Sequence, residues 1–468
     1  MSYARTRPVD ENLLGLDCDG LVRAYHEGRT TPLQVVDALK AAIEAGDTII
    51  NAFCYLDWNA AYQAARESEH RYRDGSVLGP LDGVPVSVKD LTDVRGWPTR
   101  FGSFAMAEAA EAGSDAPAVE RLRAAGAILF GKTTTTEFGW TIRSDNPLNG
   151  LTRNPHDPKR SAGGSSSGAA AQVAAGWGPL ALGSDAGGSV RVPASYCGVV
   201  GFKPSFGTIA MPPSSAFTEL AHLGVFSRSV KDCRSAMKVL SGPDARDIAS
   251  TFPRVPQQGA APRPRVGWTL FAGSDLPPSH HVVTTFHSCL EQLRAAGYEV
   301  REVNLDIRDC ADPMWMTWRY RALEAFHAWP DEQRNRLDPA LKQLYHEGEA
   351  LSTIQLAKAR TRLRRMAVQI GQVFSDVDVL LTPAMPDSAP IARSSDSSDG
   401  AENWFRRSGY AYPFNVTGQP ALSIPMGACP QGMPMGLQLV GLKYHDEAVL
   451  RLGEEIEALL TPPPPRPR

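Results

Sequence analysis

The residues of this chain whose types and spacing could do chemistry crowd between Gly163 and Arg191. The stretch reads Gly163-Gly164-Ser165-Ser166-Ser167-Gly168, then an alanine-rich run to Gly176, then Pro179-Leu180-Ala181-Leu182, and closes on Gly183-Ser184-Asp185-Ala186-Gly187-Gly188-Ser189-Val190-Arg191. Glycine lets a backbone approach a bound group closely and leaves amide N–H groups free to point at it. A serine hydroxyl beside such a nest is a candidate nucleophile. Ser/Gly linkers share this composition, but these two clusters bracket a compact unit, Ala169 to Ala175 as helix and Pro179 to Ala181 as strand. A lysine joins them. In Val84-Pro85-Val86-Ser87-Val88-Lys89-Asp90 the valines alternate with smaller or polar residues, as in a strand with one face buried. Lys89 then sits at the strand's C-terminal end on the face opposite the valines, where α/β folds place working groups. Apolar surroundings disfavour its ammonium form, and a neutral lysine is a usable base.

Several other motifs fail on context. Gly126 to Thr133 matches the phosphate-binding pattern G-x-x-x-x-G-K-[ST] letter for letter. That loop must follow a strand and open a helix, whereas Ser114 to Gly126 reads as a capped helix and Ala127 to Phe130 as a strand. Gly164 to Gly168 satisfies the nucleophile-elbow pattern G-x-S-x-G, yet the preceding Arg153-Asn154-Pro155-His156-Asp157-Pro158-Lys159-Arg160 is no apolar strand. Ser235-Ala236-Met237-Lys238 and Ser144-Asp145-Asn146 imitate β-lactamase motifs in the wrong order and without K-T-G. Cys197 has no histidine nearby and reads as a packed thiol. The ten histidines form no metal-ligand spacing, so no metal site is expected and no cofactor is implied.

The remaining elements must position these groups. Residues 12 to 75 read as helical, with Leu33, Val36, Leu39 and Ile43 on one face, and form an N-terminal helical segment (1–75) packed on a core that runs from 76 to 460. Residues 134 to 160 read as loop-rich. The proline-rich 251 to 264 reads as a surface loop, followed by a strand at Arg265 to Thr269. Val283 to Leu293 has helical spacing, Tyr298 to Leu305 is strand-like, 353 to 374 a long helix and 377 to 383 a strand. Met314 to Tyr320 is unusually aromatic, as a core or as a pocket wall for a bulky apolar group. Ser394 to Gly400 reads as a polar mobile loop and 461–468 as a disordered proline-rich tail. With a formal net charge of −3 and no basic stripe, nothing asks for nucleic acid. No apolar run of membrane length and no signal peptide is present, which predicts a cytoplasmic protein with no membrane association. Seven widely spread cysteines without a C-x-x-C pair predict reduced thiols.

Gly83 to Asp90, Gly163 to Gly168, Ala181 to Arg191, Tyr196 to Pro204 and Pro413-Phe414-Asn415-Val416-Thr417-Gly418-Gln419-Pro420 through Pro425 together resemble the amidase signature family over nearly the whole chain, including the 24-residue step from Ser165 to Ser189. The resemblance implies an α/β fold, a single domain with a large mixed central sheet and helices on both faces. It implies Ser189 as the acylated nucleophile, Ser165 as a bridging serine after a cis peptide bond, and Lys89 as the base. Backbone N–H groups of Ala186, Gly187, Gly188 and Ser189 would form the oxyanion hole. Ser166, Asp185 and Arg191 would support the site, and Gly139 and Trp140 would border the acyl pocket. The implied activity is hydrolysis of small-molecule amides, aryl or otherwise bulky and apolar, with esters and carbamates accessible. Dimerisation is a further expectation of the resemblance. The alternative is an amidotransferase subunit that works only within a hetero-complex.

Overall fold

In the computed structural model the described residues are 13–211, 217–251, 263–271, 273–392 and 401–460, with backbone alone at 401–403. The expected loop at 394–400, the expected tail at 461–468 and most of the proline-rich connection lie outside them.

Eleven strands form one mixed sheet. In chain order they are β1 (Phe53–Leu56), β2 (Pro85–Lys89), β3 (Ile128–Thr133), β4 (Leu180–Asp185), β5 (Val200–Lys203), β6 (His222–Ser227), β7 (Val266–Trp268), β8 (Val300–Glu302), β9 (Val379–Pro383), β10 (Ala421–Ala428) and β11 (Pro434–Gly441). Across the sheet they lie in the order β1-β3-β2-β4-β6-β5-β10-β11-β9-β7-β8. β3, β2 and β4 are mutually parallel, as are β9, β7 and β8, and the other joins are antiparallel.

Side-chain alternation along the strands feeds two cores. From β3 and β4, Leu129, Leu180 and Leu182 enter one, while Ile128, Phe130 and Ala181 enter the other. The second is closed by helices Pro32–Ile50, Trp58–Asp74 and Ser167–Ala174 through Val36, Leu39, Ala61, Ala65, Ala169 and Ala170. The first is closed by helices such as Pro117–Ala124 and Val230–Leu240 through Val119, Leu122, Cys233 and Met237. Helices therefore cover both faces of the sheet.

This layering corrects two readings of the sequence. β2 is buried along its whole length, so the strand read as having one buried face is covered on both: Ser87 bonds Gln172 of the helix that follows Ser166, and Lys89 is fully buried, as its apolar surroundings imply. The N-terminal segment is not wholly helical. Between its second and third helices it supplies β1, an edge strand paired antiparallel with β3. Within the loop-rich 134 to 160 stretch, Asp145–Asn146 pairs with Gly150–Leu151 and Arg153–Asn154 with Asp157–Ser161 in two small sheets. The aromatic stretch lies in helix Ala311–Phe326, with Met314 and Trp318 buried in the first core. All seven cysteines are free thiols. Among the described residues no helix is long and apolar enough to cross a membrane.

The phosphate-motif lysine has a structural occupation. Lys132 is fully buried, 2.8 Å from the Asp90 carboxylate, and donates to the Pro98 carbonyl and the Thr99 hydroxyl. Helix Pro117–Ala124 precedes the motif and β3 runs through it, so no strand–loop–helix phosphate cradle exists here.

Candidate active site

Lys89 ends β2, and its side chain is completely buried. Its Nζ donates to Ser165 Oγ at 2.7 Å and to Ser184 Oγ at 2.9 Å. Among the described residues no carboxylate lies within ion-pair distance of it. Burial lowers its pKa to about 7, with the more distant Asp185 charge opposing. A lysine held this way exchanges protons near neutrality.

Ser165 follows a cis peptide bond from Gly164. Only glycine fits at 164, because a Cβ there would stand 1.9 Å from the Arg143 carbonyl oxygen. Helix Ser167–Ala174 starts directly after this turn. Ser166 hydrogen-bonds the backbone of Ser184, donating to its carbonyl at 3.1 Å and accepting from its N–H at 3.3 Å. Its support goes to the end of β4 and not to Lys89. The second lysine partner, Ser184, has no role assigned by the sequence motifs. Its signal is weak, since Ser184 differs from the other serines only in its alternation along β4.

The segment after β4 carries Ser189. Asp185 shapes it: its carboxylate accepts from the N–H groups of Gly188 at 2.7 Å and Val190 at 3.1 Å. Arg191, also fully buried, binds both Asp185 oxygens at 2.9 and 3.0 Å. Burial alone would push the Asp185 carboxyl up, but the charge and hydrogen bonds of Arg191, with Lys203 and Asn415, hold it far below the usual carboxylate range. Asp185 and Arg191 are thus a brace, and the brace occupies one N–H of the expected oxyanion hole. The Gly188 N–H points at Asp185. Those of Ala186, Gly187 and Ser189 make no hydrogen bond among the described residues.

Two distant residues complete the brace. Asn415 Nδ2 donates to the Asp185 carbonyl and carboxylate, both at 2.9 Å, and to the Leu220 carbonyl at 3.1 Å, while its Oδ1 accepts from Arg191 at 2.6 Å. Gln438, on β11, accepts from Arg191 at 2.9 Å. Sequence separation of more than 200 residues hides both, although Asn415 lies in the Pro413 to Pro425 stretch that carries part of the resemblance.

Ser165, Ser184, Ala186 and Ser189 open onto a cavity of about 600 Å³ whose walls are mostly apolar, including Leu91, Phe101, Phe138, Phe217 and Leu223. Gly139 lines it. Trp140 does not. Its ring is 1% exposed and lies behind the wall, 4.4 Å from the Phe217 ring and 5.5 Å from that of Trp318. The turn at Phe138 and Gly139, both with positive φ, directs residue 138 into the cavity and residue 140 away from it. The rings that line the cavity are those of Phe101, Phe138 and Phe217. Cys197 is buried beside helix residues, and desolvation raises its thiol pKa, so it is a packing residue.

Fold and centre together define an α/β enzyme whose cavity is floored by serines over a buried lysine. The sequence profile of the Amidase family matches residues 34–450. The chain is 33% identical over 475 residues to an acylamidase of Rhodococcus erythropolis, covering 96% of this chain and 97% of that one. It is 30% identical over 484 residues to a glutamyl-tRNA(Gln) amidotransferase subunit of Koribacter versatilis, covering 97% and 99%. Among solved structures, a bacterial aryl acylamidase of the amidase signature family superposes with a TM-score of 0.86 at 26% identity over 95% of this chain and 96% of that one. The 6-aminohexanoate cyclic dimer hydrolase in complex with substrate superposes equally well, at 26% identity over 97% and 99%. This chain belongs to the amidase signature family.

Proposed function

We propose that the protein hydrolyses carboxylic amides with an aryl or bulky apolar group through a serine acyl-enzyme, with esters and carbamates accessible to the same site. The observation that carries this reading is Lys89: fully buried, with a pKa lowered to about 7 and bonded to a serine that opens, with Ser189, onto a mostly apolar cavity. Neutral Lys89 takes the proton of Ser165 as Ser165 takes that of Ser189, and Ser189 Oγ attacks the carbonyl carbon. The N–H groups of Ala186, Gly187 and Ser189 receive the oxyanion; a single such donor is worth about 3 kcal/mol of barrier. The C–N bond breaks as Ser165 passes its proton to the departing nitrogen and is reprotonated by Lys89. Water repeats the sequence to release the acid.

Ser189→Ala is expected to abolish both amide hydrolysis and covalent labelling by a fluorophosphonate. Undiminished labelling of the variant refutes the assignment. The likeness to glutamyl-tRNA(Gln) amidotransferase subunits supports a second reading, in which the chain works only within a hetero-complex. Turnover of p-nitroanilides, p-nitrophenyl esters and carbamates by the purified chain supports the hydrolase; inactivity alone with a stable hetero-complex supports the second reading.

A further inference from the structure

We propose that the half of the cavity beside Ser165 is a subsite for an aromatic amine leaving group, walled by the stacked pair Phe101 and Phe138. The inference rests on the serine-hydrolase reading and adds the side of the scissile bond on which an aryl ring is recognised.

The direction follows from the proton. Ser165 returns it to the departing nitrogen, so that nitrogen comes within hydrogen-bond reach of Ser165 Oγ. Gly139 lies against this hydroxyl: a Cβ at 139 would stand 3.2 Å from Ser165 Oγ. The amine substituent therefore runs along Gly139 toward the residue before it, Phe138. The Phe138 ring stacks on Phe101 with centroids 5.2 Å apart and planes at 17°, and both half-buried rings line the cavity. A second part of the wall, Phe217, Ala221 and Leu223, belongs to the β6 side, where Leu223 pairs in register with Ser184 and His222 with Asp185. It borders the segment that leads to the oxyanion donors, and the proposal gives it to the acyl group.

The backbone points the same way independently. Phe101 has φ 55° and Phe138 φ 46°, a left-handed conformation that a bulky side chain rarely adopts. The Phe138 N–H donates to the Phe101 carbonyl at 2.9 Å, which ties the two turns together. Glycine would occupy either position without strain. Phenylalanine at both makes sense where the rings themselves are needed, and such outliers collect at ligand sites. Phe326 and Trp329 meet Phe138 edge-on at 5.0 and 5.6 Å and set its plane from behind. A substrate ring can add to the open side of this pair in offset-stacked or edge-to-face geometry.

The test compares Phe101→Leu, Phe138→Leu and Phe217→Leu with the unaltered enzyme on amides sharing one acyl group and differing in the amine, anilide against n-alkylamide, and on anilides differing in the acyl group. For each variant the rate of fluorophosphonate labelling at Ser189 reports whether the centre is intact. The first two variants are expected to lower the anilide-to-alkylamide ratio of kcat/KM about tenfold, mainly through KM, as loss of an aromatic contact predicts. Phe217→Leu is expected to alter acyl preference and leave the amine ratio unchanged. Equal losses on both amines, or a shift in acyl preference from Phe101→Leu or Phe138→Leu, overturn the subsite. If Ser189→Ala still labels or hydrolyses, it is the underlying hydrolase reading that fails.

Discussion

Lys89 makes two measurable demands on pH, one kinetic and one thermodynamic, from the same buried side chain. Its pKa falls from 10.5 to about 7 because burial disfavours the ammonium. For catalysis the base must be neutral, so kcat/KM on a poor amide is half its plateau at about pH 7, flat above about pH 8 and falls about tenfold per unit below about pH 6. For stability the native pKa lies below that of the unfolded chain, about 10.4. Between these values the unfolded state binds more protons, so this group's contribution makes stability rise with pH from about 7 to about 10.4. From pH 7 to 9.5 the gain is about 3 kcal/mol. Lys89→Met removes the titration and retains most of the side-chain volume. Urea midpoints of both proteins at pH 7 and 9.5 should show the unaltered protein gaining about 3 kcal/mol on the variant across that interval. The variant should be inactive at every pH. A kcat/KM profile that stays level from pH 5 to 9 with chemistry limiting, or a stability gap between the two proteins that does not move with pH, refutes the neutral-lysine argument.

Two further substitutions probe the supports. Asn415→Ala removes the bonds from Asp185, Leu220 and Arg191 and should lower kcat about a hundredfold with little change in KM, because oxyanion donors act in the transition state. The same variant should lose about 1–3 kcal/mol in urea unfolding, and binding of a tetrahedral boronate should weaken far more than that of the product acid. Gly139→Ala places a methyl 3.2 Å from Ser165 Oγ and 3.1 Å from Leu91 at φ +76°. Steady-state kinetics should show kcat/KM down at least about tenfold on every amine, since a misplaced relay serine impairs proton transfer to all of them.

How far the site is legible depends on distance along the chain. Lys89, Ser165 and Ser189 each stand in a short motif whose residue types make them candidates for base and nucleophile, and the alternation in Val84 to Lys89 places the lysine at a strand end. The polar groups of that strand face a second core because helices cover both faces of the sheet, which no local pattern reports. β1 is not legible because four residues between two long helices find their hydrogen bonds only on β3, more than 70 residues away. Adjacency to Gly139 puts Trp140 on the pocket wall when only the sequence is considered. Two consecutive positive φ angles reverse which side chain faces inward, and those angles are not written in the letters Phe138-Gly139.

The sequence by itself determined the reactive inventory: a lysine at a strand end and two glycine-cradled serine clusters 24 residues apart. It also determined that the chain folds as an α/β protein, through apolar periods that local sterics translate into helices and strands. The tertiary structure decided what surrounds those groups. Burial on both sheet faces lowers the lysine pKa, the Asp185 carboxylate takes up the Gly188 N–H, and rings from three remote segments line the cavity. Desolvation and hydrogen-bond competition depend on which atoms meet in space, so they arise only once the sheet has brought β2, β4 and β11 to one centre.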